Sequence, residues 1–434
     1  MNLISALNRF IFVFLFLQTY VMNGRNNYYN EILPSIINLD TLPYKIISRG
    51  GDAGDYQAVP DACRLKNGDI VVLFYAGDNH VTFPGDKYPK SGRICLVRSK
   101  DDGRTWSKPV VIYDDIYDNR DPHITQLSNG TLICSFFSLR FDIPDLQERK
   151  SKEPSYTKEQ IARFGNNPDL LKDQKPVITG NKNGQVNAPQ RKWAGVGPFI
   201  IKSHNNGRSW DKKAKKVPAS TPGWYCSAKV REMPDGTCLL PVYHSEPSGR
   251  AAWGGVIPSY DKCKTWGKEI PIGKEANTVL AAETDIILLS DNTLFAALRG
   301  DGSRVNMHYA TSNDMGKSWS PVINSGFVGH APSFTRLSSG EILLSYRAHD
   351  PESGYYTGLR ISYDEAKSFE GPYLIDVKVG GYPSTVELKD GSVLIIYYEE
   401  GERSAIRALR FKKPEPKSVI EFHKPEQVDT LPLD

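Results

Sequence analysis

One nine-residue turn is repeated along this chain. SKDDGRTWS starts at Ser99, SHNNGRSWD at Ser203, SYDKCKTWG at Ser259, SNDMGKSWS at Ser312 and SYDEAKSFE at Ser362. A second motif is quieter: a leucine-like residue, turn residues, then an apolar run. It reads LKNGDIVVLFY from Leu65, LSNGTLICSFF from Leu127, MPDGTCLLPVY from Met233, LSDNTLFAALR from Leu289, LSSGEILLSYR from Leu337 and LKDGSVLIIYY from Leu388. Each copy joins two β-branched or aromatic-rich runs through a tight turn, as a β-hairpin does. The copies recur at intervals of roughly fifty residues, the mark of a repeat architecture. A polar stretch between Phe141 and Lys192 breaks the interval once and reads as an insertion whose length favours a lid or rim element.

The two motifs interleave, so each unit is a four-stranded meander, A to D. The leucine turn joins A to B, and the Ser-Asp-Gly-Trp turn joins C to D. Six units of this kind predict an all-β chain folded as a six-bladed β-propeller of four-stranded antiparallel blades. The sixth unit has strands A, B and C, the last spanning Ser404–Phe411, but no final turn. The run Tyr44–Arg49 is therefore expected to supply its fourth strand and close the ring, which removes exposed sheet edges. The repeated turn itself reads as structural. Its Asp and Ser side chains can satisfy turn amides, its Gly supplies positive φ, and its aromatic can pack into the sheet. Cys263 replaces the Gly of the third copy, and Ala366 and Phe369 replace the Gly and Trp of the fifth.

Composition narrows the class. The 434 residues carry 54 basic and 50 acidic side chains, a net charge of +4, which argues against a nucleic-acid binder. Asn8 and Arg9 precede the apolar run Phe10–Leu17, too short to span a bilayer but long enough for a signal peptide. Residues 1–24 are accordingly expected to be a signal peptide, 25–413 the propeller with its 141–192 insertion, and 414–434 a polar tail. The expected product is exported, periplasmic or secreted, monomeric, and without a membrane span in mature form. The six cysteines lack metal-ligand spacing and lie mostly in apolar runs, so buried free thiols are expected.

If both turn types share one face, the starts of the A strands and the ends of the B strands meet at the opposite mouth. Those slots are rich in functional groups. A-strand starts contribute Asp61 (YQAVPD), Arg120, Asp121 and His123 (RDPH), Glu283 and Asp285 (ETD), GHAPS from Gly329, and Tyr382 (GYPS). B-strand ends contribute Asp78, Arg140, His244, Glu246, Arg299, Arg347, His349, Glu399 and Glu400. Arg299 and Arg347 follow LFAAL and ILLSY at equivalent positions of neighbouring units.

The five turns resemble the Asp-boxes of the sialidase superfamily, and the resemblance covers nearly the whole predicted propeller. Sialidases clamp a carboxylate with arginines and use a Tyr nucleophile activated by Glu, with an Asp acid/base; a neutral phenol avoids repelling an anionic substrate. The segment AETDIILLSDNTLFAALR resembles the one in which a Glu precedes the second clamp arginine, which implies Glu283 as base and Arg299 as clamp. GYPSTVELKDGSVLIIYYE resembles the segment that begins with the nucleophile, which implies Tyr382. The pattern also departs from the family. Ala58 occupies the slot of the first clamp arginine, with Arg120 the candidate replacement. No arginine occupies the expected slot of the third in SGYYTGLRIS, where Arg347 is the candidate. The acid/base is sought in the loop AGDNHVTFPGDKYPKSG, with Asp86 preferred over Asp78. Asp61, Asp121, His123 and Asp285 are expected to bind substrate, and His80 is a further candidate.

The implied activity is an exo-acting, retaining glycoside hydrolase that removes a terminal acidic sugar, sialic acid by default. Two alternatives stand beside it: a hydrolase or lyase acting on a uronic-acid polysaccharide, and a carbohydrate-binding propeller without catalysis. No HExxH, EF-hand or phosphate-loop pattern occurs, so no metal or cofactor is expected.

Overall fold

The structure is a computed structural model that describes residues 44–413, apart from 86, 142–192, 227, 246–251, 277, 281–282, 301–304, 351–353, 377–379 and 402–403. The expected signal peptide, insertion and tail, together with Asp86 and Glu246, lie outside the described residues. Among the described residues no helix is long and apolar enough to cross a membrane.

Six antiparallel sheets form the ring. After β1 (Tyr44–Arg49), blade one is β2 (Tyr56–Arg64), β3 (Ile70–Gly77), β4 (Arg93–Ser99) and β5 (Val110–Tyr113). Blade two is β6 (Asp118–Gln126), β7 (Leu132–Phe141), β8 (Trp193–Ser203) and β9 (Lys215–Lys216). In blade three the inner strand is split into β10 (Trp224–Tyr225) and β11 (Arg231–Glu232), both pairing β12 (Cys238–Ser245), followed by β13 (Ala252–Ser259) and β14 (Ile270–Ile272). Blade four is β15 (Thr284–Leu288), β16 (Leu294–Leu298), β17 (His308–Ser312) and β18 (Ile323–Asn324). Blade five is β19 (Gly329–Arg336), β20 (Ile342–Asp350), β21 (Gly354–Ser362) and β22 (Glu370–Asp376). Blade six is β23 (Gly380–Glu387), β24 (Val393–Glu399) and β25 (Ala405–Phe411), completed by β1, which pairs antiparallel with β25 from Tyr44↔Leu409 to Arg49↔Ala405. The ring closes with the strand that the missing final turn required.

The repeated turn explains how neighbouring blades adhere. In the first copy Ser99 Oγ donates to Asp101 Oδ1 at 2.8 Å and accepts from the Gly103 amide at 2.8 Å, while the Thr105 amide donates to Asp101 Oδ1 at 2.9 Å. The same bonds recur at Ser312, Asp314, Gly316 and Ser318. The turn thereby holds its aromatic inward. Trp106 packs on the core between blades six and one, Trp210 between one and two, Trp266 between two and three, Trp319 between three and four, and Phe369 between four and five. Each interface core is lined by fully buried aliphatic side chains such as Val72, Leu132, Leu240, Leu294 and Leu344, so each box aromatic adds apolar burial at a seam between sheets.

Candidate active site

The inner strands β2, β6, β15, β19 and β23 contact one another around the axis. Four of them carry the same irregularity. Register slips by one residue between Ala58 and Asp61, Arg120 and His123, His330 and Ser333, and Gly381 and Ser384. At each bulge one residue adopts positive φ, Val59 at 52°, Asp121 at 50°, Ala331 at 48° and Tyr382 at 46°, and a proline follows each. A bulge re-aims a side chain, and a non-glycine residue in this region costs about 1 kcal/mol or more. That cost is met at Tyr382, the residue on which the site converges.

Tyr382 Oη donates to Glu283 Oε1 at 2.8 Å. Arg299 Nη1 donates to both Glu283 oxygens at 2.7 Å and to Tyr382 Oη at 3.2 Å. The Ala331 amide, at the apex of the blade-five bulge, donates to Glu283 Oε2 at 3.3 Å. Glu283 is 3% exposed and so fully enclosed by these donors. Burial pushes the Tyr382 phenol well above its ordinary pKa, the Glu283 carboxylate adds to this, and the Arg347 and Arg299 guanidiniums oppose it. The phenol is thus protonated at rest, and its proton already points at a carboxylate.

Arg347 completes the basic wall. Its guanidinium carbon lies 4.8 Å from the Tyr382 ring centroid and 4.5 Å from that of Tyr355, and Nη2 donates to His330 Nδ1 at 3.1 Å. Tyr355 belongs to the SGYYTGLRIS stretch in which the third arginine was sought; Arg347 on the adjacent strand stacks on it instead. The Nε atoms of Arg299 and Arg347 are buried and have no hydrogen-bond partner within the protein.

The sector where the first clamp arginine is absent is built differently. Ala58 is fully buried there. Glu400 accepts from Tyr56 Oη at 3.0 Å and from Tyr398 Oη at 2.5 Å, and the Tyr398 ring lies 6.0 Å from that of Tyr382. Arg120 Nη2 donates to His80 Nε2 at 3.1 Å; because a guanidinium only donates, the His80 proton sits on Nδ1, 2.9 Å from Tyr56 Oη. Arg120 also bonds the His80 carbonyl and Asp118 Oδ2 and lies over the Tyr75 ring. The residue proposed as a replacement clamp is thus a tie between blades one and two. Asp121 occupies the apex of the blade-two bulge, as Tyr382 does in blade six, and its charge is among those that hold the Tyr382 phenol up. Asp78 lies exposed on the rim, its amide bonded to Thr82 Oγ1 at 3.1 Å.

Three expected ligand residues lie elsewhere. Asp61 accepts from the Ile124 amide at 2.8 Å and Ser384 Oγ at 2.6 Å, with Lys229 Nζ at 2.9 Å and His123 Nδ1 at 3.6 Å. Asp285 accepts from the Phe334 amide at 2.8 Å and from both Nε and Nη2 of Arg231. These carboxylates are saturated by protein donors, so the expectation that Asp61, His123 and Asp285 bind substrate is corrected: they fasten one inner strand to the next. Sequence position placed them at strand starts but not at the right depth, because Asp61 and His123 sit two residues past the bulge apex. A cavity at the turn end of the axis includes Arg64, Lys229, Arg231 and Arg336, but each is paired, with Asp102, Asp61, Asp285 and Glu365 respectively.

His330 and Tyr355 were missed, since each matters through a contact across strands. The recurring X-Pro at the inner-strand starts was the available signal: four of these dipeptides mark the four bulges. Among the described residues no group of three or more His, Cys, Asp or Glu side chains is placed to hold a metal ion.

The family model of the BNR repeat-like domain matches residues 171–395. No curated protein matches the sequence. Among solved structures the chain is similar to a protein of unknown function from Dyadobacter fermentans, with 21% identity, a TM-score of 0.66, and coverage of 88% of this chain and 99% of that one. It is similar to the NanB sialidase from Streptococcus pneumoniae, with 16% identity, a TM-score of 0.58, and coverage of 85% and 70%. For the intramolecular trans-sialidase from Ruminococcus gnavus the values are 14%, 0.58, and 84% and 96%. At such identities the likeness is one of fold. With the family match spanning more than half its length, and with six blades of which five carry the repeated turn, the chain belongs to the BNR repeat-like domain family, on a propeller fold that it shares with sialidases.

Proposed function

We propose that this propeller is a retaining exo-glycosidase that removes a terminal acidic sugar, with sialic acid as the first substrate to test. The observation that carries the reading is the single hydrogen-bonded unit of Tyr382, Glu283 and Arg299 at the strained apex of an inner-strand bulge. A substrate carboxylate would accept from the guanidiniums of Arg299 and Arg347. Tyr382 Oη would attack the anomeric carbon while its proton passes to Glu283 Oε1, so nucleophile and substrate need not carry like charges at the outset. Asp86, or Asp78 on the same loop, would protonate the leaving oxygen and afterwards take a proton from the water that releases the sugar. Arg299, bonded to both Glu283 and Tyr382, offsets charge as it shifts between them.

A second reading keeps the site and changes the sugar to a uronic acid within a polysaccharide. Ala58 and Glu400 favour it: the sector that would complete a three-arginine clamp carries a carboxylate held by two tyrosines. Purified protein assayed on fluorogenic α-sialosides and on a panel of uronides separates the two, with the ultraviolet absorbance of an unsaturated product reporting elimination. Release by wild type, with retained anomeric configuration in proton NMR and none from Tyr382→Phe, is the expected result. Failure of the wild type to act on any acidic sugar would leave only a binding propeller.

A further inference from the structure

Blade three departs from its neighbours at two positions that touch. In each Asp-box blade the first residue of strand B lies opposite the box Ser: Ile70↔Ser99, Leu132↔Ser203, Cys238↔Ser259, Leu294↔Ser312 and Ile342↔Ser362. The residue four past that Ser donates its amide to the Ser Oγ, and it is Gly103, Gly207, Cys263, Gly316 and Ala366. A Cβ placed on Gly207 would lie 3.4 Å from Leu132 Cδ1, and one on Gly316 would lie 3.4 Å from Leu294 Cδ1. Two blades therefore pack Gly against Leu where blade three packs Cys against Cys. Cys238 and Cys263 are free thiols buried in one core cluster. Cys263 meanwhile holds the left-handed conformation, φ 62°, that the other two blades give to Gly.

Neither change is explained by packing alone. A cysteine at the box glycine accepts backbone strain, and a cysteine in place of leucine gives up apolar volume. Together they place two sulfurs side by side in the one blade whose inner strand is split into two short pieces.

We propose that Cys238 and Cys263 form a disulfide that staples the third Asp-box turn to strand β12. With a small disulfide such as oxidised glutathione as oxidant, one Cys thiolate attacks it and releases one glutathione thiol. The second Cys thiolate then attacks the mixed disulfide and releases another, so two protein thiols become one S–S bond and one glutathione disulfide becomes two thiols. Both side chains are buried just beneath an exposed turn, so the bond forms most readily as the chain folds.

The test is to refold the reduced full-length chain in a glutathione redox buffer, quench with N-ethylmaleimide under denaturing conditions, and map the peptides by mass spectrometry. One bridged peptide pair joining Cys238 to Cys263 is expected, with Cys63, Cys95, Cys134 and Cys226 alkylated. Reduction should lower the melting temperature by roughly 3–8 °C. The double variant Cys238→Leu/Cys263→Gly, which rebuilds the packing of the adjacent blades, should melt at the same temperature with and without reductant. Alkylation of both cysteines in every buffer, bridging to another cysteine, or an unchanged response to reductant in the double variant each overturns the proposal. If that variant fails to fold, the wild-type peptide map alone decides. None of these readouts depends on the proposed activity.

Discussion

At one end of the inner strands the blades close in the same way. The amides of Leu65, Leu127, Met233, Leu289, Leu337 and Leu388 each bond the carbonyl four residues on, with donor–acceptor distances of 2.7 to 2.9 Å. At the other end the bulge apices are four different residues, Val59, Asp121, Ala331 and Tyr382. The turn end is under one local constraint, reversal of the chain beside a packed seam, which any blade can meet with the same residues. The mouth is a composite of unlike groups, Glu283 and Arg299 from blade four, Arg347 from blade five and Tyr382 from blade six, so repetition there would destroy it. Stability should therefore reside in the repeated end and chemistry in the unrepeated one.

The largest expected effects break the unrepeated end. Tyr382→Phe should lower turnover on a responsive acidic glycoside at least about 10³-fold, and Glu283→Gln about 10²–10⁴-fold, with urea midpoints close to wild type for Tyr382→Phe. Tyr382 gives one hydrogen bond to Glu283 and receives one from Arg299, and only the hydroxyl is removed. Equal loss of stability and activity in Tyr382→Phe would assign the tyrosine to the scaffold. Arg347→Ala should act mainly on KM, because its guanidinium touches the ring rather than the hydroxyl of Tyr382.

Changes at the repeated end should do the reverse. Trp319→Ala removes the aromatic seated between blades three and four, and partial burial suggests a loss of about 2–4 kcal/mol in urea unfolding. Its indole Nε1 has no hydrogen-bond partner, so the loss is one of apolar packing. Activity per folded molecule should be unchanged; a matching fall in turnover would mean that the two ends are coupled through the seam.

Acid provides a finer probe of the same turn. Hydrogen bonds from Ser318 hold the Asp314 carboxyl down to about 2, and bonds from Thr265 hold Asp261 below the usual range. Depressed folded-state pKa values add stability above the unfolded value near 4, and that contribution fades as the pH falls towards 2. The urea midpoint should therefore drop between about pH 4 and pH 2, and less steeply in Asp314→Asn. An identical slope in wild type and variant would remove Asp314 from the account.

The same contrast explains what could be read in the chain. Turn chemistry is local, so Ser99, Asp101 and Gly103 announce their bonds in order, and counting five such turns with their six leucine-turn partners reached six blades and the closing strand Tyr44–Arg49. Mouth geometry is not local. Glu283, Arg299 and Tyr382 were legible because their spacing resembles a family segment. Arg120 was misjudged because its partners, His80 and Asp118, depend on loop conformation, and Asp61 because a one-residue bulge sets which side chain faces the mouth.

Ala366 offers the smallest effect and the sharpest check on the turn itself. It holds φ 59° where the first, second and fourth boxes have Gly, and its amide still bonds Ser362 Oγ at 2.8 Å. Ala366→Gly relieves a left-handed conformation worth about 1–2 kcal/mol. Against this stand the greater freedom of the unfolded chain, about 0.4–1 kcal/mol, and the loss of a partly buried methyl beside Phe369. The balance should be a stabilisation of under about 1 kcal/mol, read as a small rise in the urea midpoint with activity unchanged. A clear destabilisation would mean that the methyl outweighs the strain, and that the fifth box kept its alanine for the seam between blades four and five.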